Sequence, residues 1–376
     1  MTVAFIVSSL GFGGAEKHTL QLFNGLARFG FPTALAYLKR EEHLLHEVDR
    51  ASGTVWCAEF RMGWDFTGLT RLADWVRAIN PGVIVCVNTY PLFYSQVARW
   101  LTGHRCRIIE IFHTTKPALL EQIKMSLVYA PFFNRCDCIV YVSAVQRAYW
   151  EGRGLRKELG VVIHNGVDTE YFDDSFTWDE KRGVRERFGF KRDDFVIGIC
   201  AALRPEKKHE DLIEAVARLK SEGVPAHCLV IGDGPCRAAI ESTIFRFGLE
   251  NEVVITGFQT DVRPFLAACD CMTIVSTQVE TFSLAALEAM AMSKPVVMSA
   301  VGGATEQVRN GDNGYLFPAG DVEALVAALR RLTNHKNCEK LGRAARRITE
   351  QEYALHKMIN KYAALFGHNL GTDGVA

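Results

Sequence analysis

Two carboxylates stand in an apolar setting in the stretch VETFSLAALEAMAMSKPVV, residues 279 to 297. Glu280 lies just ahead of a helical run of Leu, Ala and Met, and Glu288 lies inside it. A carboxylate on such a helix is at least partly buried, and a buried carboxylate needs donors. A pair of ribose hydroxyls would serve Glu288, because one carboxylate can accept from both. The helix is expected to begin around Thr281 to Ser283. Its first-turn amides, with the two hydroxyls, form an anion site favourable by roughly 0.3 to 1 kcal/mol per charge. A diphosphate fits there, with Glu280 leaning over it toward whatever the phosphate carries. The plainer reading makes Glu280 a helix-dipole carboxylate and Glu288 a buried partner of an Arg.

Other chemistry-bearing residues come after apolar runs in the same way. AALRPEKKHEDLIEA sets Arg204, Lys207 and Lys208 around a proline turn. Arg suits bidentate contact with phosphate and Lys acts as a point charge, so together they can neutralise a diphosphate; the plainer alternative is a basic loop in solvent. VIGDGP supplies Gly232 and Gly234, which let backbone approach a ligand closely. EIFHTTKP places His113 directly after an apolar stretch, and SSLGFGGAEKH offers Gly11, Gly13 and Gly14 for a tight turn before a helix. That loop is not G-x-G-x-x-G, since Glu16 stands where a small residue is required. In IHNGVDTEYF, Asn165 and Gly166 suit a turn and Asp168 can cap the residues after it.

These residues need elements that bring strand ends together, and the pattern supplies them. The runs VAFIVSS, TALAYL, GVIVCVN, RIIEIFH, CIVYVS and GVVIHNG alternate with helical stretches in the first half; FVIGICAAL, HCLVIGDG, VVITGF, CMTIVS, PVVMSA and GYLFP do so in the second. Runs apolar at every position, interleaved with helices, predict a parallel sheet covered on both faces. Such sheets bind ligands at the carboxyl ends of their strands. The fold class is therefore α/β with two Rossmann-like, doubly wound domains and a cleft between them. The charged segment DTEYFDDSFTWDEKRGVRERFGFKRDD places the boundary near residues 170 to 194, giving domains over 1–175 and 190–350, with a final amphipathic helix over 351–368 expected to pack back on the first domain. CDCIVYVS and CDCMTIVS echo one another, each leading into a helix with Ser143 or Ser276 near its start as a cap.

At 376 residues, 48% apolar and 23% charged, with a formal net charge of zero, the chain has a globular composition and no whole-chain bias toward nucleic acid. Residues 97 to 157 carry ten Lys or Arg against four acids, which reads as a solvated face or as a surface for anionic lipid headgroups or a pyrophosphate-bearing acceptor. Eleven cysteines without a C-x-x-C pair, most in apolar runs, point to a reducing compartment without disulfides or zinc. No run reaches the roughly 18 apolar residues of a membrane span. The expectation is a cytoplasmic protein, with contact at the inner face of the membrane open.

The string ETFSLAALE, followed by AMAMSKPVVMSAVGGATEQVRNGDNGYLF, closely resembles the nucleotide-sugar site of retaining GT-B glycosyltransferases of the family four group. GGAEKH resembles that group's N-terminal glycine loop, HNGVD the string before its linker, RPEKKH its basic turn and VIGDGP its glycine pair. The resemblance implies a nucleotide-diphosphate sugar, UDP- or GDP-linked, held mainly by the second domain, with no further cofactor. Glu288 would take the ribose, Lys207 and Arg204 the diphosphate, and Glu280 the sugar hydroxyls. Amides from Thr281 through Phe282 and Ser283 to Leu284 would bind phosphate, His113 would touch the donor sugar, Gly13 and Gly14 would approach the phosphate, and Phe258 would sit by the base. Two departures stand out: Ala202 occupies the position where members often carry Arg, and Thr281 and Ser283 replace the usual glycines. The acceptor would be a glycan or lipid-linked precursor in cell-surface polysaccharide synthesis. A GT-B-like epimerase or phosphorylase is the nearest alternative; a nicotinamide oxidoreductase and an idle binding protein fit less well.

Overall fold

Apolar runs became strands wherever helices cover both faces of a sheet, and the computed structural model shows this twice. It describes residues 1–61, 65–114, 125–278 and 280–367. The chain divides into a first unit, Met1–Gly166 with Leu355–Ala376, and a second, Val167–Ala354. Helices interleave with the strands in both units, which makes each an α/β unit of doubly wound type.

Among the described residues the first unit holds seven strands: β1 Val3–Val7, β2 Thr33–Tyr37, β3 Gly53–Cys57, β4 Val83–Val87, β5 Arg107–Phe112, β6 Cys138–Tyr141 and β7 Gly160–Val162. Their order is β3-β2-β1-β4-β5-β6-β7, parallel throughout, so the winding reverses between β1 and β4. β1, β2 and β4 are buried at every position, as their uninterrupted apolar sequences require. β3 is the strand that the sequence conceals: GTVWC is half-exposed at the sheet edge and has no apolar run.

The second unit repeats the plan with β8 Phe195–Cys200, β9 Ala226–Ile231, β10 Val253–Gly257, β11 Cys271–Ile274, β12 Val296–Ser299 and β13 Gly314–Phe317. Their order β10-β9-β8-β11-β12-β13 reverses between β8 and β11. The segment read from sequence as a boundary lies inside this unit. It contains the helix Trp178–Arg187, opened by a reciprocal capping box between Thr177 and Glu180, and the buried Arg185, which pairs with Asp270 at 2.9 Å.

The helix Leu355–Gly367 belongs to the first unit. It lies on the helix Gly14–Arg28, where Gly25 makes room: a Cβ there would stand 2.1 Å from Ile359 Cδ1. Arg107 donates to the carbonyls of Leu365 and Phe366 at its end.

Candidate active site

The carboxyl ends of β8, β9, β11 and β12 are stitched to one another by their loops. Leu203 N–H donates to Asp233 O at 3.0 Å, Thr277 N–H to Glu206 O at 3.1 Å, Ser299 Oγ to Ser276 O at 2.5 Å and Gly303 N–H to Glu280 O at 3.2 Å. The loops after β8 and β11 flank the point where the winding reverses, the usual ligand crevice of such a sheet. Lys207 and Glu280 meet there: Lys207 Nζ lies 2.7 Å from Glu280 Oε2, and Ser276 Oγ donates to the same oxygen at 3.0 Å. Glu280 is 9% exposed. Its Oε1 receives no donor among the described residues, so one oxygen is anchored by the protein and the other is left to accept.

Ser276, expected as a helix cap, serves this carboxylate instead. The helix starts later, at Leu284, and runs to Ala291 with Ser283 as its cap, the Ser283 hydroxyl accepting from Ala286 N–H at 3.2 Å. Ser143 does cap its helix, accepting from Gln146 N–H.

The anion site is narrower than the sequence suggests. Ser283 N–H donates to Gln307 Oε1 and Gln307 Nε2 returns a bond to Ser283 O, both at 2.8 Å. With the Ser283 hydroxyl also occupied, the first-turn amides of Leu284 and Ala285 remain, neither with an acceptor among the described residues. Phe282 turns its ring into the unit against Tyr353, 5.4 Å between centroids, so only its main chain faces outward chemistry. Thr281 is 8% exposed and Glu288 is 5% exposed. Side chains on a helix lean toward its N-terminus, which tilts the Glu288 carboxylate toward the end where those two amides emerge.

Arg204 is exposed and sits just before the turn Pro205–Lys207, which ends with Lys208 in a left-handed conformation at φ 49°. No acidic partner holds its guanidinium among the described residues. Gly232, at φ 146°, and Gly234 have a reason internal to the protein: a Cβ on them would stand 2.1 Å from Ala201 O and 2.7 Å from Leu203 O. Their close approach is to the loop after β8, which they thereby seat. Phe258, at the end of the edge strand β10, is half-exposed. The Asp168 carboxylate, at the entry to this unit, accepts from the N–H groups of Glu170 and Tyr171, capping that turn.

In the first unit, His113 comes directly after β5, and its N–H donates to Asn88 Oδ1 at 3.1 Å. A buried Gln146 donates to Phe112 O at 2.6 Å and Thr114 O at 3.1 Å, and Trp150 Nε1 donates to Thr114 O at 2.7 Å. Both flanks of His113 are thus pinned. Burial lowers its imidazole pKa to about 4. Its ring stands edge-to-face with the fully buried His18, 4.9 Å between centroids.

The glycine loop differs from expectation. Gly13 caps the helix Gly14–Arg28, but a Cβ on Gly13 would lie 2.1 Å from Glu16 Oε2, so the helix's own carboxylate folds over its N-terminus. Ser9 Oγ donates to Glu41 at 3.0 Å, which brings a second carboxylate against the same loop. An approaching phosphate would meet negative charge here; a hydroxyl would meet acceptors.

The cations of residues 97 to 157 do not form one free patch. Arg99 pairs with Asp137, Arg147 with Glu151 and Arg156 with Glu158, while Arg107 serves the C-terminal helix. Lys116, Glu121 and Lys124 lie outside the described residues. No helix among the described residues is long and apolar enough to cross a membrane.

Two doubly wound parallel sheets in one chain, each with polar side chains gathered at strand carboxyl ends, define the GT-B architecture. Residues 12–171 match the family description Glycosyltransferase Family 4 and residues 180–348 match Glycosyl transferases group 1. This chain belongs to the family four group of glycosyltransferases. It is 28% identical over 320 residues to the N-acetyl-alpha-D-glucosaminyl L-malate synthase of Bacillus anthracis, covering 82% of this chain and 81% of that one. Its fold matches HepE of Anabaena in complex with UDP-glucose at a TM-score of 0.85, with 22% identity, 97% of this chain covered and 99% of HepE. Sucrose-phosphate synthase of Thermosynechococcus elongatus matches at a TM-score of 0.81, with 19% identity and 97% and 98% of the two chains covered.

His18, Gln146 and Gln307 were not among the residues that the sequence singled out. Each is a polar helical residue among other polar residues, and its role becomes legible only once burial is known.

Proposed function

We propose that this protein moves a hexose-type sugar from a UDP- or GDP-linked donor to a glycan or lipid-linked acceptor in cell-surface polysaccharide synthesis, in the cytoplasm and with retention at the anomeric carbon. The observation that carries this reading is the meeting of Lys207 and Glu280 at the reversal point, beside a helix with two amides left to donate. Breaking the anomeric bond builds negative charge on the departing diphosphate. Lys207 keeps further donor hydrogens for it, Arg204 has a guanidinium without an acidic partner among the described residues, and the amides of Leu284 and Ala285 add fixed dipoles; all gain as the charge develops. No Asp-x-Asp triplet occurs in the sequence, so these groups, rather than a metal, are assigned that work.

Glu280 Oε1 accepts from a sugar hydroxyl while Oε2 stays on Lys207 and Ser276. Glu288 accepts from the ribose, and Phe258 flanks the base. With a pKa of about 4, His113 is neutral near pH 7 and offers the sugar a hydrogen bond rather than a charge. The leaving phosphate, with no carboxylate placed to act as nucleophile in this scheme, takes the acceptor's proton as the new bond forms on the same face. Gly13 and Gly14, in a loop that meets Glu16 at Gly13 and Glu41 at Gly11, suit hydroxyls of the sugar or acceptor better than phosphate. Contact with an anionic bilayer would fall to Arg105 with the exposed Trp100 and Leu101.

A thermal-shift screen against UDP-, GDP- and ADP-sugars tests the donor assignment. A ligand at 100 times its Kd stabilises the native state by about 2.7 kcal/mol. UDP-glucose is the first probe, since HepE binds it. Slow release of free nucleotide diphosphate supports transfer, with water replacing the acceptor. An altered sugar without nucleotide release would mean epimerisation, and a requirement for inorganic phosphate would mean phosphorolysis.

A further inference from the structure

We propose that His18 is a positioning residue for His113, and that Tyr362, on the C-terminal helix, holds His18 in place for that task. The proposal rests on the reading of His113 as a group that touches the donor sugar. His18 lies one turn into the helix Gly14–Arg28 and is 0% exposed. Leu or Phe would fill such a site without the cost of taking an imidazole out of water. The Nδ1 of His18 has no hydrogen-bond partner among the described residues, and the ring is held by contacts with two other rings. Tyr362 Oη stands 3.5 Å from His18 Nε2, with the two rings 5.8 Å apart, while the other ring contact is the 4.9 Å edge-to-face one with His113, at an interplanar angle of 68°.

The two halves of His113 are thus fixed from different directions. Asn88, Gln146 and Trp150 hold its main chain and that of its neighbours. None of those contacts restrains rotation of the ring about its side-chain bonds; His18 does. Tyr362 is itself 0% exposed, and the helix that bears it is seated by Ile359 on Gly25 and by Phe366 against Phe31. A neutral imidazole has one N–H and one bare nitrogen, and a ring whose orientation or tautomer is scrambled offers the sugar a donor where an acceptor is needed. Burial keeps both rings neutral, so tautomer and rotamer are what remain to be set.

Selective 15N labelling of histidine in the full chain tests this, with His113 assigned by its loss in His113→Ala. The variants are His18→Phe, which keeps an aromatic ring, and Tyr362→Phe, which removes one oxygen. Both are expected to shift the His113 ring-nitrogen resonances toward a mixture of tautomers. With UDP-glucose as probe, both are expected to lower kcat for UDP release by about tenfold or more, with KM changed by less than about twofold, as for a misplaced catalytic contact. Unchanged His113 resonances and wild-type kcat in the two folded variants, beside a lost rate in His113→Ala, overturn the positioning role alone. A wild-type rate in His113→Ala rejects the role of His113 itself. Should His18→Phe not fold, Tyr362→Phe decides by the same two readouts, and the spectra decide whichever nucleotide sugar the enzyme uses.

Discussion

Lys207 and Glu280 are 73 residues apart in sequence and 2.7 Å apart in the fold, so each conditions what the other can do. Lys207→Ala is expected to cut kcat by about 10²- to 10³-fold, the usual effect of losing one group that stabilises a developing anion. Glu280→Gln keeps the shape but gives up the charge facing the sugar, and should lower kcat more than it raises KM. Glu288→Gln should act on binding instead. Hydrogen bonds to a charged acceptor contribute about 1.5 to 3 kcal/mol, so nucleotide Kd should rise by roughly tenfold or more while kcat holds. Steady-state kinetics with titration calorimetry on the three variants separates these effects. The sequence exposed both acids and the lysine because each departs from its surroundings: two carboxylates in an apolar run, and cations after a buried strand. It did not expose that Ser283 is occupied twice over, as cap and as partner of Gln307, since hydrogen bonds across 24 residues leave no local pattern.

The elements were legible to the extent that they are buried. All six strands of the second unit announce themselves as apolar runs, whereas β3, a half-exposed edge, does not. The same opacity hides Glu110, which sits in the middle of β5 at 0% exposure with neither carboxylate oxygen meeting a hydrogen-bond partner among the described residues. Burial raises its pKa well above the usual carboxylate range. The folded unit therefore holds it neutral while the unfolded chain ionises it. No penalty exists below the unfolded pKa; stability is lost as pH rises from there toward the folded pKa, by about 1.4 kcal/mol per pH unit. Glu110→Gln should accordingly melt higher than the wild type at pH 8, with the advantage shrinking toward pH 4.5 in paired thermal melts. Gln307→Ala should work in the other direction. Losing both bonds to Ser283 frees the loop that carries Glu280, and a stability loss of about 1 to 3 kcal/mol with a lower kcat is expected in denaturant titrations and rate assays.

At the scale of the whole chain, each unit buries histidines with depressed pKa values: His18 and His113 in the first, His209 in the second, the last pushed to about 4 by burial and then by Lys207. A folded pKa below the unfolded value means that the unfolded chain binds the extra proton. Stability is full above about pH 6.5 and is lost as pH falls toward 4. For His209 and for His113, each with a folded value of about 4, the separation corresponds to about 3 kcal/mol. Melting temperatures measured from pH 7.5 to 4.5 should fall steadily, and His209→Gln should flatten part of that fall. Arg204 and Lys207 belong to the second unit and His113 to the first, and the proposed function assigns the nucleotide to the second. The most direct measurement is calorimetric titration of UDP into the wild type and Lys207→Ala, repeated with GDP and ADP. Saturable one-to-one binding of at least one of them, weakened about tenfold or more by the substitution, is the predicted result. Equal affinities in the two proteins, or no binding of any of the three, would contradict the assignment of the basic turn and its neighbouring helix to a nucleoside diphosphate.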